Sequence, residues 1–499
     1  MSSKAKTLLK GSVLRTFYFF ASALVGLFLM PLMIHSLGDE LYGMWMFAAS
    51  LLGFYLLFDM GLSSATQRYV SQAIGRESHK EADVIANTSF VLFTVIGVFA
   101  LLISFVLAYF LPLLLKNITH IHLFRIIMLI LGANLAISIP MRVFSGILMS
   151  HLRFDIQTGI ELFKLFVRAA LVVLVLKLGY SVIAVALVFC SSDLLGYFLF
   201  YIFARKTAPY IRINMKSFDK TKIKTLYGYS WKTLVAQIAD KLRFDVDNFV
   251  IVAFLGLNFV TVYAIAARLA RHFIDLITSV VGILTPVFSQ YEGKGDFQAI
   301  REKFILSTKI SSYLAIFIGG SLIIFGKAFI QRWMGPQYLE AYPLLVVLTI
   351  PLTLALMQNP SIQLLYGVSK HNFFAVFNSV EGISNLIISL ILVGKFGVMG
   401  VALGTAIPMI IIKLFIQPVY TCNAVKLSIA EYYYLLIGSA VKPTFVILTL
   451  AYISRNFIAP SYFSLVSVLL CQSAIFAIVI FFIGLTKKER DYFKAVVYA

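Results

Sequence analysis

The chain has 499 residues, of which 60% are hydrophobic and only 13% charged, and its mean hydropathy is +0.92. This composition lies far outside the range of soluble globular domains. A formal charge of +20 would suggest nucleic-acid binding in a soluble protein. In so apolar a chain, basic loops on one side of a membrane explain the charge better, and we expect no nucleic-acid partner.

Apolar runs of about 20 residues recur along the whole chain and predict about fourteen transmembrane helices. The expected fold class is therefore an all-α polytopic membrane protein. We assign residues 1–210 to an N-terminal six-helix lobe and residues 211–425 to a second six-helix lobe. Residues 426–499 then form two additional helices and a cytoplasmic tail.

Lys and Arg are concentrated in alternate loops, which is the usual sign of cytoplasmic segments. Examples are Lys4, Lys6 and Lys10 at the start of the chain and the basic run from Arg205 to Lys224 after the sixth span. This distribution predicts that both termini face the cytoplasm.

Short strings recur at one constant spacing along the chain and indicate an internal duplication. Leu37-Gly38 recurs as Leu255-Gly256, and Ser71-Gln72 recurs as Ser289-Gln290. Each repeat holds six spans, an even number, so both lobes would enter the membrane from the same side. This parallel arrangement is known among transporters.

Sequence motifs for catalysis and cofactor binding are absent. There is no phosphate-cradling glycine loop, no HExxH and no paired CxxC, and the seven histidines are scattered. The longest connection on the predicted outer side, Gly326 to Glu340, is too short for a catalytic domain. We therefore expect no enzyme, cofactor or metal site, and a membrane glycosyltransferase or polymerase is a distant alternative.

Charged side chains inside apolar spans are the main candidates for function, because each Lys or Arg at a helix centre costs about 2.5 to 3.5 kcal/mol. In the eighth span, Val262 to Pro286, Arg268, Arg271 and Asp275 share one helix face. Two bases against one acid leave an uncancelled positive charge there, which would suit phosphate or pyrophosphate.

The fifth span, Thr158 to Leu178, carries Lys164 and Arg168 on one face with Glu161. In the seventh span, acids surround the bases closely enough that helix pairing explains them equally well. The candidate substrate-binding bases are Arg268, Arg271, Arg168, Lys164, Lys241, Arg243 and Arg142.

Carboxylates inside the spans are candidates for proton or sodium coupling, because a partly desolvated carboxylate can change its protonation near neutral pH. A role as a local salt-bridge partner is at least as good an interpretation of each. The candidates are Asp59, Glu161, Asp275 and Glu381.

Three stretches near the N-terminus carry a family resemblance: Leu37 to Trp45 (LGDELYGMW), Phe58 to Leu62 (FDMGL) and Gln67 to Val70 (QRYV). This pattern resembles the Wzx-type polysaccharide flippases of the multidrug/oligosaccharidyl-lipid/polysaccharide (MOP) exporter superfamily. The predicted layout of six, six and two spans extends the resemblance over the whole chain.

The resemblance implies a V-shaped pair of lobes in the bacterial inner membrane that works by alternating access. The implied substrate is an undecaprenyl-pyrophosphate-linked sugar repeat unit, moved from the cytoplasmic to the periplasmic leaflet for O-antigen or another surface polysaccharide. Implied partners are the lipid bilayer, H⁺ or Na⁺, and polysaccharide polymerase machinery. A lipid II flippase or a cation-coupled multidrug antiporter of the same superfamily is the nearer alternative, although the excess of bases disfavours the antiporter.

Overall fold

Helices follow one another along almost the whole chain in the computed structural model, which describes residues 3–59, 61–114, 120–214, 217–227, 238, 241, 245–282, 284–368, 372–487 and 489–491. No strand occurs within these ranges. The first seven helices are α1 (Ser3–Leu37), α2 (Asp39–Tyr55), α3 (Leu62–Gly75), α4 (His79–Leu114), α5 (Ile121–Ser150), α6 (Phe154–Lys177) and α7 (Val182–Thr207).

The remaining helices begin after the basic connection that follows α7. They are α8 (Val246–Phe254), α9 (Leu257–Val281), α10 (Leu284–Gly293), α11 (Phe297–Trp333), α12 (Ala341–Met357), α13 (Asn359–Gly367), α14 (Asn372–Phe396), α15 (Val398–Ile411), α16 (Gln417–Val425), α17 (Ile429–Ser454) and α18 (Tyr462–Val479). A π-helical turn, Ile412–Ile416, joins α15 to α16.

Nine of the described helical segments are long and apolar enough to cross a membrane, and α12 with α13 forms a tenth if this pair, bent by 41°, is one span. The chain is therefore a multi-pass membrane protein, and the all-α prediction is confirmed. The other predicted spans carry several charges, as α6 and α9 do, or are short within the described ranges, as α2 and α8 are. The count of about fourteen is compatible with these helices and stays a prediction.

The chain divides into two compact units. The first unit comprises Met1–Lys241 and Ile251–Thr261, and the second comprises Leu242–Val250 and Val262–Ala499. In the first unit α5 packs against α4 and α7, while α6 packs against α1 and α7. In the second unit α15 packs against α14 and α12, while α11 packs against α12 and α17.

The repeat spacing seen in the sequence also holds in the backbone. Gly38 and Gly256 have positive φ angles of 79° and 101°, and Glu77 and Gly295 have φ angles of 57° and 68°. These left-handed residues end one helix and start the next at matching points of each repeat. A third pair with the same spacing is Gly179 and Gly397. The two repeats therefore turn at the same places.

Candidate functional site

A polar cluster surrounds Asp247 inside the second unit. Asp247 lies in the first turn of α8 and is 2% exposed. Its carboxylate accepts hydrogen bonds from the hydroxyl groups of Tyr263 on α9 and Thr405 on α15, the latter at 2.9 Å, and from Asn385 Nδ2 on α14 at 3.2 Å. Ser389, one turn after Asn385, donates to the Asn385 carbonyl at 2.9 Å. Three spans thus converge on one carboxylate.

Each hydrogen-bond partner that the described residues give Asp247 is a neutral hydroxyl or amide. Burying a carboxylate without a cation costs several kcal/mol even after relaxation. Hard oxygen ligands of this kind suit a proton or a small cation such as Na⁺. The cluster can therefore hold an added cation, since none of its hydrogen-bond partners among the described residues carries a positive charge.

A cavity of about 50 Å³ adjoins this cluster, and its walls include both Asp247 and Arg271. A water molecule needs about 10 to 15 Å³ of such space, so the cavity has room for a few. Arg271 is half-buried on α9, and apolar side chains such as Leu352 and Met409 form much of the remaining wall. A carboxylate and a guanidinium thus share one small polar space within the second unit.

The other two predicted residues of this face of α9 differ in their exposure. Arg268 is exposed and Asp275 is half-buried. Elsewhere on the same helix, Leu269 and Leu276 line an apolar space of about 390 Å³, formed with α11 and α18. Helix α9 therefore contributes to a polar cavity and to an apolar groove.

The bases of the fifth span meet a second acid in the first unit. Asp193 on α7 accepts from Arg168 Nη2 at 2.5 Å and from Asn134 Nδ2 at 2.8 Å, and it lies 3.4 Å from Lys164 Nζ. Lys164 also pairs with Glu161 at 2.9 Å. The sequence pattern gave these bases Glu161 alone, whereas the structure balances two bases with two carboxylates.

Three other predicted charges lie in two further ion pairs. Arg142 lies 3.8 Å from Asp59, which is 6% exposed and accepts from the backbone and hydroxyl of Ser63 at the start of α3. Glu381 lies 3.7 Å from Lys413, and both are almost fully buried. Within the described part of the chain, this geometry suits a structural role for these pairs.

Two predicted bases belong to the seventh span. The ammonium of Lys241 lies in the first unit beside Gly53, where a Cβ atom would come within 3.0 Å of Nζ. The glycine thus makes room for this charge. Arg243 lies outside the described residues.

Neutral polar residues were missed by the search for charges. Asn385, Ser389 and Thr405 look like ordinary polar interruptions of apolar helices. The only local signal is the spacing of Asn385 and Ser389, which puts both on one face of α14. Asp247 is one of several acids of the seventh span, and nothing in the sequence distinguishes it from the others.

Buried charge and a small polar cavity inside a bundle of long apolar helices are typical of multi-pass membrane transporters. Solved structures support the fold. One described as an inward-facing multidrug resistance MATE family transporter of the MOP superfamily aligns with a TM-score of 0.72 at 16% identity, covering 82% of this chain and 96% of that one. The lipid II flippase MurJ aligns at 0.69 and 17% identity, covering 93% and 98%.

Sequence comparison defines the family more narrowly. The model of the family described as "Polysaccharide biosynthesis protein" matches residues 33–343, and the chain belongs to this family. A relative named "Putative O-antigen transporter" from Shigella flexneri is 24% identical over 434 residues, which is 83% of this chain and 98% of that protein. The resemblance noted in the sequence is thereby confirmed.

Proposed function

We propose that this protein is a flippase for an undecaprenyl-pyrophosphate-linked oligosaccharide repeat unit. It moves the unit from the cytoplasmic to the periplasmic leaflet of the bacterial inner membrane by alternating access, and supplies O-antigen or another surface polysaccharide to the polymerase machinery. The family match over residues 33–343 carries this proposal. A large polar glycan cannot cross hydrocarbon unaided, so the reaction needs a protein path.

The headgroup is held by the basic face of α9. Arg268 and Arg271 lie one turn apart, and a guanidinium can donate two parallel hydrogen bonds to a phosphate. Leu269 and Leu276 of the same helix line the apolar groove, which suits part of the polyprenyl chain. The amphipathic surface of α9 thus matches an amphipathic substrate.

Asp247 is the coupling carboxylate in this proposal. It takes up H⁺ or Na⁺ because its partners among the described residues are neutral. The cation then lies in the wall of the cavity that also contains Arg271, so uptake strengthens the local positive field toward an anionic headgroup. By linkage, headgroup binding strengthens cation binding by the same factor.

The test is leaflet exchange of a fluorescent polyprenyl-pyrophosphate oligosaccharide by the purified full-length chain in liposomes. We expect exchange well above that of protein-free liposomes. The variant Arg268→Ala/Arg271→Ala should lose at least about tenfold, because each charge-assisted contact is worth about 1.5 to 3 kcal/mol.

A matched control is Arg301→Ala, which removes an exposed pair with Glu431 and should leave exchange near the wild-type rate. Full activity of the double variant contradicts the role of α9. A folded wild-type protein that moves no lipid-linked saccharide contradicts the proposed function itself.

A further inference from the structure

Asp193 pairs with two bases of the first unit, Arg168 and Lys164. Its Oδ1 atom lies 2.5 Å from Arg168 Nη2 and 3.4 Å from Lys164 Nζ. Arg168 uses only one side of its guanidinium here, because Nε is buried and has no hydrogen-bond partner among the described residues. Asp193 therefore accepts from Nη2 alone and does not form the bidentate contact that a guanidinium can make.

The cluster can be reached from outside the unit and is held in shape. The side chains of Arg168, Lys164 and Asp193 are 22%, 15% and 15% exposed. The Arg168 guanidinium lies over the ring of Phe189, 4.4 Å from its centroid, which fixes the guanidinium plane. Gly196 on α7 leaves space for the Lys164 stem, since a Cβ there would lie 3.0 Å from Cδ.

The fold does not require this cluster, because the second repeat builds the same helices without it. Helix α14 of the second repeat corresponds to α6 of the first, and α15 corresponds to α7. We align α6 with α14 and α7 with α15 at their first residues, and we align the rest of the repeat with Gly38 on Gly256. In this alignment Arg168 corresponds to Leu386, Lys164 to Gly382, Asn134 to Leu352 and Asp193 to Met409. Charge at these positions is therefore specific to the first unit.

We propose that Asp193 is an internal competitor that holds Arg168 and Lys164 until an anionic headgroup displaces it, at a site in the first unit additional to the basic face of α9. This inference rests on the proposed function. The competition lowers the affinity of these bases for a phosphorylated lipid. A pyrophosphate can engage Arg168 Nη2 and Lys164 Nζ together once Asp193 has left them. Asn134 donates to the other carboxylate oxygen at 2.8 Å and can retain Asp193 when the bases leave it.

The test measures binding of two probes, farnesyl pyrophosphate and farnesyl monophosphate, to the purified full-length protein by calorimetry. Asp193→Asn keeps the shape of the side chain and removes its charge. We expect both probes to bind about five- to tenfold tighter to this variant, because the bases no longer have to leave a carboxylate. Asp193→Glu should restore most of the wild-type affinity, and adding Arg168→Ala to Asp193→Asn should abolish the gain.

Loss of a purely structural pair would lower thermal stability and leave both affinities unchanged. Asp193→Ser, a smaller neutral variant, is measured in parallel and must also bind both probes more tightly. Unchanged affinities in whichever of the two neutral variants folds overturn the inference, and leaflet exchange by the wild type would then leave the proposed function standing. If the affinities rise but the wild type moves no lipid-linked saccharide, the anion site stands and the proposed function fails.

Discussion

At one corresponding position of the fold, the second repeat has a polar cluster and the first repeat has an apolar contact. In the second unit, Asp247 accepts hydrogen bonds from Tyr263 and Thr405. In the first unit, Leu29 corresponds to Asp247 and Trp45 to Tyr263 when Gly38 is aligned on Gly256. Phe189 corresponds to Thr405 when the starts of α7 and α15 are aligned. The rings of Trp45 and Phe189 meet edge to face, with centroids 4.7 Å apart.

The difference shows that apolar packing suffices at this point of the fold. A Trp–Phe contact adds about 0.5 to 1.5 kcal/mol beyond the burial of its area. A buried carboxylate surrounded by neutral donors carries a desolvation cost instead. Since the first unit folds without such a group, a carboxylate is not a general requirement of the fold at this point. Cation uptake is the role that its chemistry favours.

The largest effect on stability is expected in the first unit. Trp45→Ala removes a large side chain that is 7% exposed, and should lower the free energy of unfolding by about 3 to 5 kcal/mol. Titration of folded protein with denaturing detergent measures this change. The comparison predicts that the surviving folded protein keeps the ion dependence of transport, while Trp45→Phe should be much milder. Loss of ion dependence in both variants would break the comparison.

Gly404 offers a test in the second unit. A Cβ at this position would lie 2.7 Å from the backbone nitrogen of Ser389, so α14 and α15 must move apart in Gly404→Ala. We expect a loss of about 1 to 3 kcal/mol in stability and a lower ion concentration for half-maximal transport, because Asn385 and Thr405 separate and donate less well to Asp247. Gly438→Ala is the matched control, since nothing lies within 4 Å of its Cβ. Equal behaviour of the two variants would contradict this role of the close contact.

A smaller and more local effect is expected from Asn385→Val, which installs the residue found at Val167 in the first unit. It removes one donor to Asp247 and leaves the hydroxyl donors in place. The ion concentration for half-maximal transport should fall about tenfold, with little change in stability, because a carboxylate that has lost a donor binds H⁺ or Na⁺ more tightly. Ser384→Val, one residue earlier on α14, should leave that concentration unchanged. A wild-type ion response in Asn385→Val would remove Asn385 from the site.

Composition and periodicity were enough to predict the helical membrane fold, because long apolar runs have few other structures available in a bilayer. The repeat could also be predicted, since Leu37-Gly38 and Leu255-Gly256 mark helix ends that need left-handed glycines. The break between α12 and α13 at Gln358 was harder to predict from the sequence. With Gly38 aligned on Gly256, Gln358 corresponds to Pro140 of the first repeat. The helix breaks at the glutamine, whereas α5 runs unbroken through the proline.

The site was predicted only in part. Arg271 was found because charge inside an apolar run is costly and therefore visible. Asp193 was missed as the partner of Arg168 because the two residues lie on different helices, and the spacing rule covers one helix at a time. Asn385 and Thr405 carry no charge, so only packing in three dimensions brings them to Asp247.

The most direct measurement compares wild type with Asp247→Asn in liposomes under an imposed proton or sodium gradient. The variant keeps the shape of the side chain and removes the charge that would bind the cation. We expect one of the two gradients to accelerate net transfer of the polyprenyl-pyrophosphate oligosaccharide by the wild type. The variant should exchange the lipid between leaflets at a rate that neither gradient changes. Acceleration of Asp247→Asn to the wild-type extent would contradict the account.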